Sequence, residues 1–77
     1  MPEDLPPTAL LRAFSRVAET LSLKEAAADL HLSPSAVSRQ IQSLEAYLGV
    51  TLFRRLNPGL EITDEGRRYL RTVNRVL

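Results

Sequence analysis

The chain has 77 residues, 44% of them hydrophobic and 25% charged, which suits one small domain with a single core and is too apolar for a disordered tail. It has no cysteine and one histidine, His31, which excludes disulfide staples, thiolate zinc sites and cysteine nucleophiles. Ten Lys and Arg against nine Asp and Glu leave a net charge of +1, too small to name a partner by itself.

The distribution of charge is more informative than its total. Residues 1–32 carry three cations (Arg12, Arg16, Lys24) against five carboxylates (Glu3, Asp4, Glu19, Glu25, Asp29), a balance of −2. Residues 33–77 reverse the sign, with seven arginines against four carboxylates, a balance of +3. Arginine is the cation that forks onto phosphates and guanine edges. No apolar run approaches the roughly 18 residues that a membrane span needs, and residues 1–7 lack the basic and apolar regions of a signal peptide; the expected location is the cytoplasm.

In chain order, residues 1–7 hold three prolines and no periodicity, a flexible lead-in expected to end where Thr8 caps a helix. Leu10, Leu11, Phe14, Val17, Ala18 and Leu21 then fall at helical spacings and predict a first amphipathic helix. Ser22-Leu23-Lys24-Glu25 reads as a capping box, with Ser22 accepting from a first-turn amide and Glu25 reaching back to the cap. It opens a short second helix, with Ala26, Ala27 and Leu30 inward. Ser33 as cap and Pro34 at the first helical position start a third helix over residues 34–48. Val37, Ile41, Leu44 and Leu48 form its inner stripe and Gly49 its stop. Ser35, Arg39, Gln42 and Ser43 lie within about 60° of the opposite direction, with Ser38 at the flank. A short helix, a tight turn and a longer helix with one polar face make a helix-turn-helix candidate.

Beyond Gly49, residues 50–55 and 60–62 flank the turn residues Asn57-Pro58-Gly59 and predict a small β-hairpin, or wing. Thr63 caps a last helix that has Asp64 and Glu65 in its first turn and Arg67, Arg68, Arg71 and Arg75 later, the order the helix dipole favours. Its apolar stripe of Tyr69, Leu70, Val73, Val76 and Leu77 runs to the final residue, as though it met another molecule. The fold class expected is all-α with a small β-hairpin: a winged helix-turn-helix over residues 8–62, followed by the start of a linker helix over 63–77.

Catalysis finds little support. His31 sits beside a turn, Asp64 and Glu65 suit a first helical turn, and Gly49, Gly59 and Gly66 are too far apart for a phosphate cradle. No metal or cofactor is expected. A recognition helix, by contrast, needs a capped end at the DNA, short polar side chains there and one longer donor; Ser33, Ser35, Ser38 and Arg39 meet that specification. The competing reading is a winged-helix protein-interaction module without sequence-specific DNA binding. Such a module ordinarily offers apolar or aromatic anchors, which the outer face of the third helix lacks.

At Ser33-Pro34-Ser35-Ala36-Val37-Ser38-Arg39-Gln40-Ile41 and Leu44-Glu45-Ala46-Tyr47-Leu48-Gly49-Val50-Thr51-Leu52-Phe53-Arg54-Arg55, the chain resembles the N-terminal DNA-binding domain of bacterial LysR-type transcriptional regulators. The likeness extends to the first helix, the Ala26-Ala27 pair and Thr63-Asp64-Glu65-Gly66. The Arg54-Arg55-Leu56-Asn57 stretch is similar to the branch that includes activators of glycine-cleavage and β-lactamase genes. The resemblance implies a double-stranded DNA partner and a homodimer paired through the last helix by Tyr69, Leu70, Val73, Val76 and Leu77. It also implies truncation before an effector-binding domain, where any small-molecule effector would bind. Arg39 and Ser38 match base-reading positions, with Pro34 and Ser35 ahead of them; Ser33, Lys24, Gln42, Arg54 and Arg55 would approach the backbone. Family members commonly carry a glutamine and then a proline where this chain has Pro34 and Ser35, so Pro34 offers bases apolar contact only. The arginine often found near the wing tip is replaced by Asn57-Pro58-Gly59, so minor-groove readout is expected either to be weaker or to fall to Arg54 or Arg55.

Overall fold

The computed structural model describes residues 6–77. In order these form α1 (Thr8–Thr20), α2 (Leu23–Leu30), α3 (Pro34–Leu48), β1 (Phe53–Arg55), β2 (Leu60–Ile62) and α4 (Asp64–Val76). The expected class and element order are therefore found. Helices α1, α2 and α3 pack on one another, and α4 returns against α1.

Local signals and observed caps agree at most boundaries. Ser33 Oγ accepts from the Ala36 amide and Pro34 takes the first turn of α3, while Gly49 ends it in the left-handed region at φ 73°. Three local expectations change. Thr8 is inside α1 and does not cap it; Pro7 does, its carbonyl accepting from the Leu10 and Leu11 amides at 3.0 and 3.3 Å. Proline suits that place because its own missing N–H is not needed there. Order thus begins before residue 8, with Pro6 already buried; residues 1–5 of the expected lead-in lie outside the described residues. Leu21 leaves the apolar stripe: it terminates α1 in the left-handed region at φ 52° and is 39% exposed. The capping box is half formed. Ser22 Oγ accepts from the Glu25 amide, but the Ser22 amide donates to Thr20 Oγ1 at 3.2 Å rather than to Glu25.

The core is built by Leu11, Phe14 and Val17 of α1, Ala26 and Ala27 of α2, Val37, Ile41 and Leu44 of α3, Leu52 and Phe53 at the wing base, and Val73 of α4. Phe14 is its hub. Its ring lies 5.5 Å from that of Phe53 and 5.4 Å from that of Tyr69, centroid to centroid, both tilted, so one aromatic joins α1 to the wing and to α4. Burial raises the Tyr69 phenol above its ordinary pKa, with a smaller push from Tyr47.

The hairpin is shorter than the expected 50–55 and 60–62, because residues 50–52 form the connection from α3. Strands β1 and β2 pair antiparallel with Phe53 opposite Ile62, Arg54 opposite Glu61 and Arg55 opposite Leu60. At its tip the Leu56 amide donates to the Gly59 carbonyl at 2.8 Å, with Gly59 at φ 100°, a conformation that side-chain-bearing residues avoid. Thr63 ties the wing base to α4. Its amide donates to the Leu52 carbonyl, its hydroxyl lies 2.6 Å from the Thr51 carbonyl, and the same oxygen accepts from the Gly66 amide.

Candidate nucleic-acid interface

The amino-terminal half of α3 forms one wall of the candidate site. Ser33, Pro34 and Ser35 are exposed at its start, and the Ser33 and Ser35 hydroxyls are 3.3 Å apart. One turn on, Arg39 is exposed and held by no carboxylate among the described residues; Gln42 and Ser43 continue the same face. The inner stripe of Val37, Ile41 and Leu44 is buried in the core, which fixes this polar face outward.

The wing forms the second wall, and strand alternation separates its two arginines. Arg54 Nε pairs with Glu61, its cross-strand partner, at 2.9 Å. Arg55, pointing to the other face, donates from Nη2 to Ser38 Oγ of α3 at 3.0 Å. Sequence pattern placed both arginines in the wing but did not say which would face α3. The structure gives Arg55 that place and sets Arg54 on the reverse side with a counter-charge.

A cleft between the walls is lined by Ser38, Gln42 and Glu45 from α3 and by Phe53, Arg55 and Leu60 from the wing. A shallower depression runs between Arg55, Gly59 and Leu60 and the start of α2 at Ser22 and Leu23, next to exposed Lys24. Pro34, Ser35, Ser38, Arg39 and Gln42 thus share α3 with Ser33 as its cap, Arg55 joins them at Ser38, and Lys24 is exposed in the first turn of α2. Asn57, Pro58 and Gly59 are exposed at the tip. Of the expected dimerisation stripe, Val73 is 1% exposed and belongs to this chain's own core, so it is corrected from a contact surface to a core residue. Tyr69 and Leu70 are half-buried against the core, while Val76 and Leu77 stand 50% and 55% exposed.

Glu45 was not singled out by the sequence. Its Oε2 accepts from the Leu52 amide at 2.7 Å and the Phe53 amide at 3.3 Å. The available signal was its place in the last turn of α3, where a carboxylate opposes the helix dipole and needs some other partner. Among the described residues no group of three His, Asp or Glu is arranged to hold a metal ion, and no helix is long and apolar enough to cross a membrane.

Comparison with known proteins places this arrangement. The family described as "Bacterial regulatory helix-turn-helix protein, lysR family" matches residues 8–67. The chain is 43% identical over 76 residues to the glycine cleavage system transcriptional activator of Escherichia coli (strain K12), covering 99% of this chain and 25% of that protein. It is 46% identical over 68 residues to the carbapenem-hydrolyzing beta-lactamase transcriptional activator of Serratia marcescens, covering 88% of this chain and 23% of that one. The chain therefore spans about a quarter of the length of these curated relatives, and both belong to the branch that the Arg54-Arg55-Leu56-Asn57 stretch resembles. Among solved structures, the CbnR_DBD–DNA complex superposes with a TM-score of 0.88 at 38% identity, covering 92% of this chain and 82% of that one. The BenM_DBD/catB site 1 DNA complex gives 0.87 at 32% identity, covering 92% and 80%. On the match over residues 8–67 and on identities above 40% across nearly its whole length, the chain belongs to the lysR family of bacterial regulatory helix-turn-helix proteins.

Proposed function

We propose that this chain binds double-stranded DNA sequence-specifically, with α3 in the major groove and the wing along the adjoining backbone. The observation that carries the reading is the exposed start of α3, where a serine-capped helix end opens onto short polar side chains and one arginine free of any described carboxylate. The CbnR_DBD and BenM_DBD structures, each superposing on 92% of the chain, are complexes with DNA, which supports it. Arg39 reads a base edge, with Ser38, Ser35 and the apolar ring of Pro34 beside it. Ser33, Lys24, Gln42 and Arg55 meet the backbone, and Arg54 does so from the reverse face of the wing. The tip, Asn57-Pro58-Gly59, brings no charge to the minor groove.

Two copies related by a two-fold axis would place their α3 helices in successive major grooves about 34 Å apart. Tyr69, Leu70, Val76 and Leu77 offer the apolar surface for that pairing, and an effector site, by likeness to relatives of which the chain covers a quarter, would belong to a further domain and not to these residues. The test is enrichment of random duplex DNA on the chain at moderate salt, with sequencing of the bound pool. An interrupted inverted repeat is the expected result. Binding with no enriched pattern would leave only an electrostatic contact and would reject sequence reading, and a protein-interaction module would enrich nothing.

The asymmetry of the wing gives a second expectation. Each phosphate contact contributes about 0.9 to the slope of log affinity against log salt. Arg55→Ala should lower the slope by about that amount for each bound copy, and Arg54→Ala by less, because Glu61 already holds that guanidinium on the far face. Equilibrium titration at several salt concentrations measures both, and an unchanged slope in the pair of variants would reject backbone contact by the wing.

A further inference from the structure

Glu45 and Ser38 stand two turns apart on α3, and the wing touches α3 at both. At Glu45 the carboxylate takes the Leu52 and Phe53 amides, at 2.7 and 3.3 Å. At Ser38 the hydroxyl takes Arg55, two residues further along the chain, at 3.0 Å. Leu52 is fully buried and precedes the ladder, so its amide needs a partner that the hairpin does not supply. A two-stranded hairpin of three residues a side cannot hold its own direction in water. Its base is fastened to α4 through Thr63 and to the core through Leu52 and Phe53, and on the α3 side its first amides are taken by Glu45.

We propose that Glu45 is a positioning residue for DNA binding: by holding the first amides of the wing against α3 it sets Arg55 beside Ser38, so that wing and α3 meet the duplex in one fixed register. The inference rests on the DNA-binding reading above. Its sign separates it from simple electrostatics. A carboxylate near the phosphates repels them, so on charge alone its removal should strengthen binding, whereas loss of registration should weaken it.

The experiment is a double-mutant cycle of Glu45→Ala and Arg55→Ala, with affinity for one fixed duplex from the selected pool followed across salt concentrations and folding checked by thermal melting. We expect Glu45→Ala to weaken binding by roughly the factor seen for Arg55→Ala, and to lower the salt slope by about 0.9 for each bound copy. Arg55→Ala should then add nothing in the Glu45→Ala background. Glu45→Gln, which keeps an acceptor and loses the charge, should bind at least as tightly as the unaltered chain. If Glu45→Ala does not fold, Glu45→Asp, too short to reach both amides yet still charged, takes its corner of the cycle. Additive losses from the two sites, or tighter binding by Glu45→Ala, overturn the positioning role while leaving DNA binding intact. An unaltered chain that binds no duplex overturns the DNA-binding reading, and this one with it.

Discussion

Replacing Gly66 by alanine is expected to remove roughly 2–3 kcal/mol of folding free energy, the upper range for overpacking a filled site. A Cβ there would stand 2.5 Å from the Leu52 carbonyl oxygen and 2.6 Å from Ile62 Cγ1. The Ile62 side chain can rotate in part, but the Leu52 carbonyl cannot retreat, because it already accepts from the Thr63 amide at 2.9 Å. Alanine is the better helix former by about 1 kcal/mol, and Gly66 lies within α4, so propensity alone predicts stabilisation. The contact at 2.5 Å decides against it, since relief requires α4 to lift from the wing base and strain the Thr63 cap. A domain of this size has roughly 4–11 kcal/mol in total, so the variant should unfold at clearly lower urea with an unchanged m-value. A neutral or stabilised variant would mean that α4 does not approach the wing so closely.

The parts of this fold that were legible in the sequence are those set by neighbours along the chain. Ser33, Pro34 and Gly49 fix both ends of α3, and the spacing of Val37, Ile41 and Leu44 fixes which face turns inward and hence that Arg39 turns outward. Thr63 announces the start of α4 in the same way. What stayed hidden depends on contacts across the fold. Alternation says that Arg54 and Arg55 point to opposite sides, but only the packing of the hairpin on α3 gives Arg55 to Ser38 and leaves Arg54 to Glu61. The stripe on α4 was visible, yet periodicity does not distinguish a side chain buried against its own core, as Val73 is, from one left exposed, as Val76 and Leu77 are. Glu45 escaped because a carboxylate serving two amides of a following connection leaves no periodic trace. Leu21 went the other way. Its spacing fitted the stripe of α1, but Thr20 turns back to bond the Arg16 carbonyl and the Ser22 amide, so the helix closes one residue earlier.

Arg39→Ala is expected to weaken binding to the selected site by about 1–3 kcal/mol, roughly 5- to 150-fold, and to relax preference at a single base pair. The guanidinium has the reach and the paired donors for the N7 and O6 acceptors of guanine. Among the described residues no carboxylate must first release Arg39, whereas Arg54 and Arg67 are each held by one, Glu61 and Asp64. Desolvating Arg39 therefore breaks no ion pair with them, and its buried inner stripe keeps α3 from rolling to present another side chain in its place. The loss should differ in kind from that at Arg55, which ought to be nearly uniform across sequences and visible in the salt slope. A sharper outcome comes from Arg39→Gln, because glutamine pairs with the N6 and N7 edge of adenine. Selection with that variant should move the preferred base at the same position from guanine toward adenine and leave its neighbours unchanged. Equal weakening of every duplex by Arg39→Ala would show that Arg39 meets only the backbone, and base reading would then have to come from the serines, whose single hydroxyls discriminate far less between base pairs.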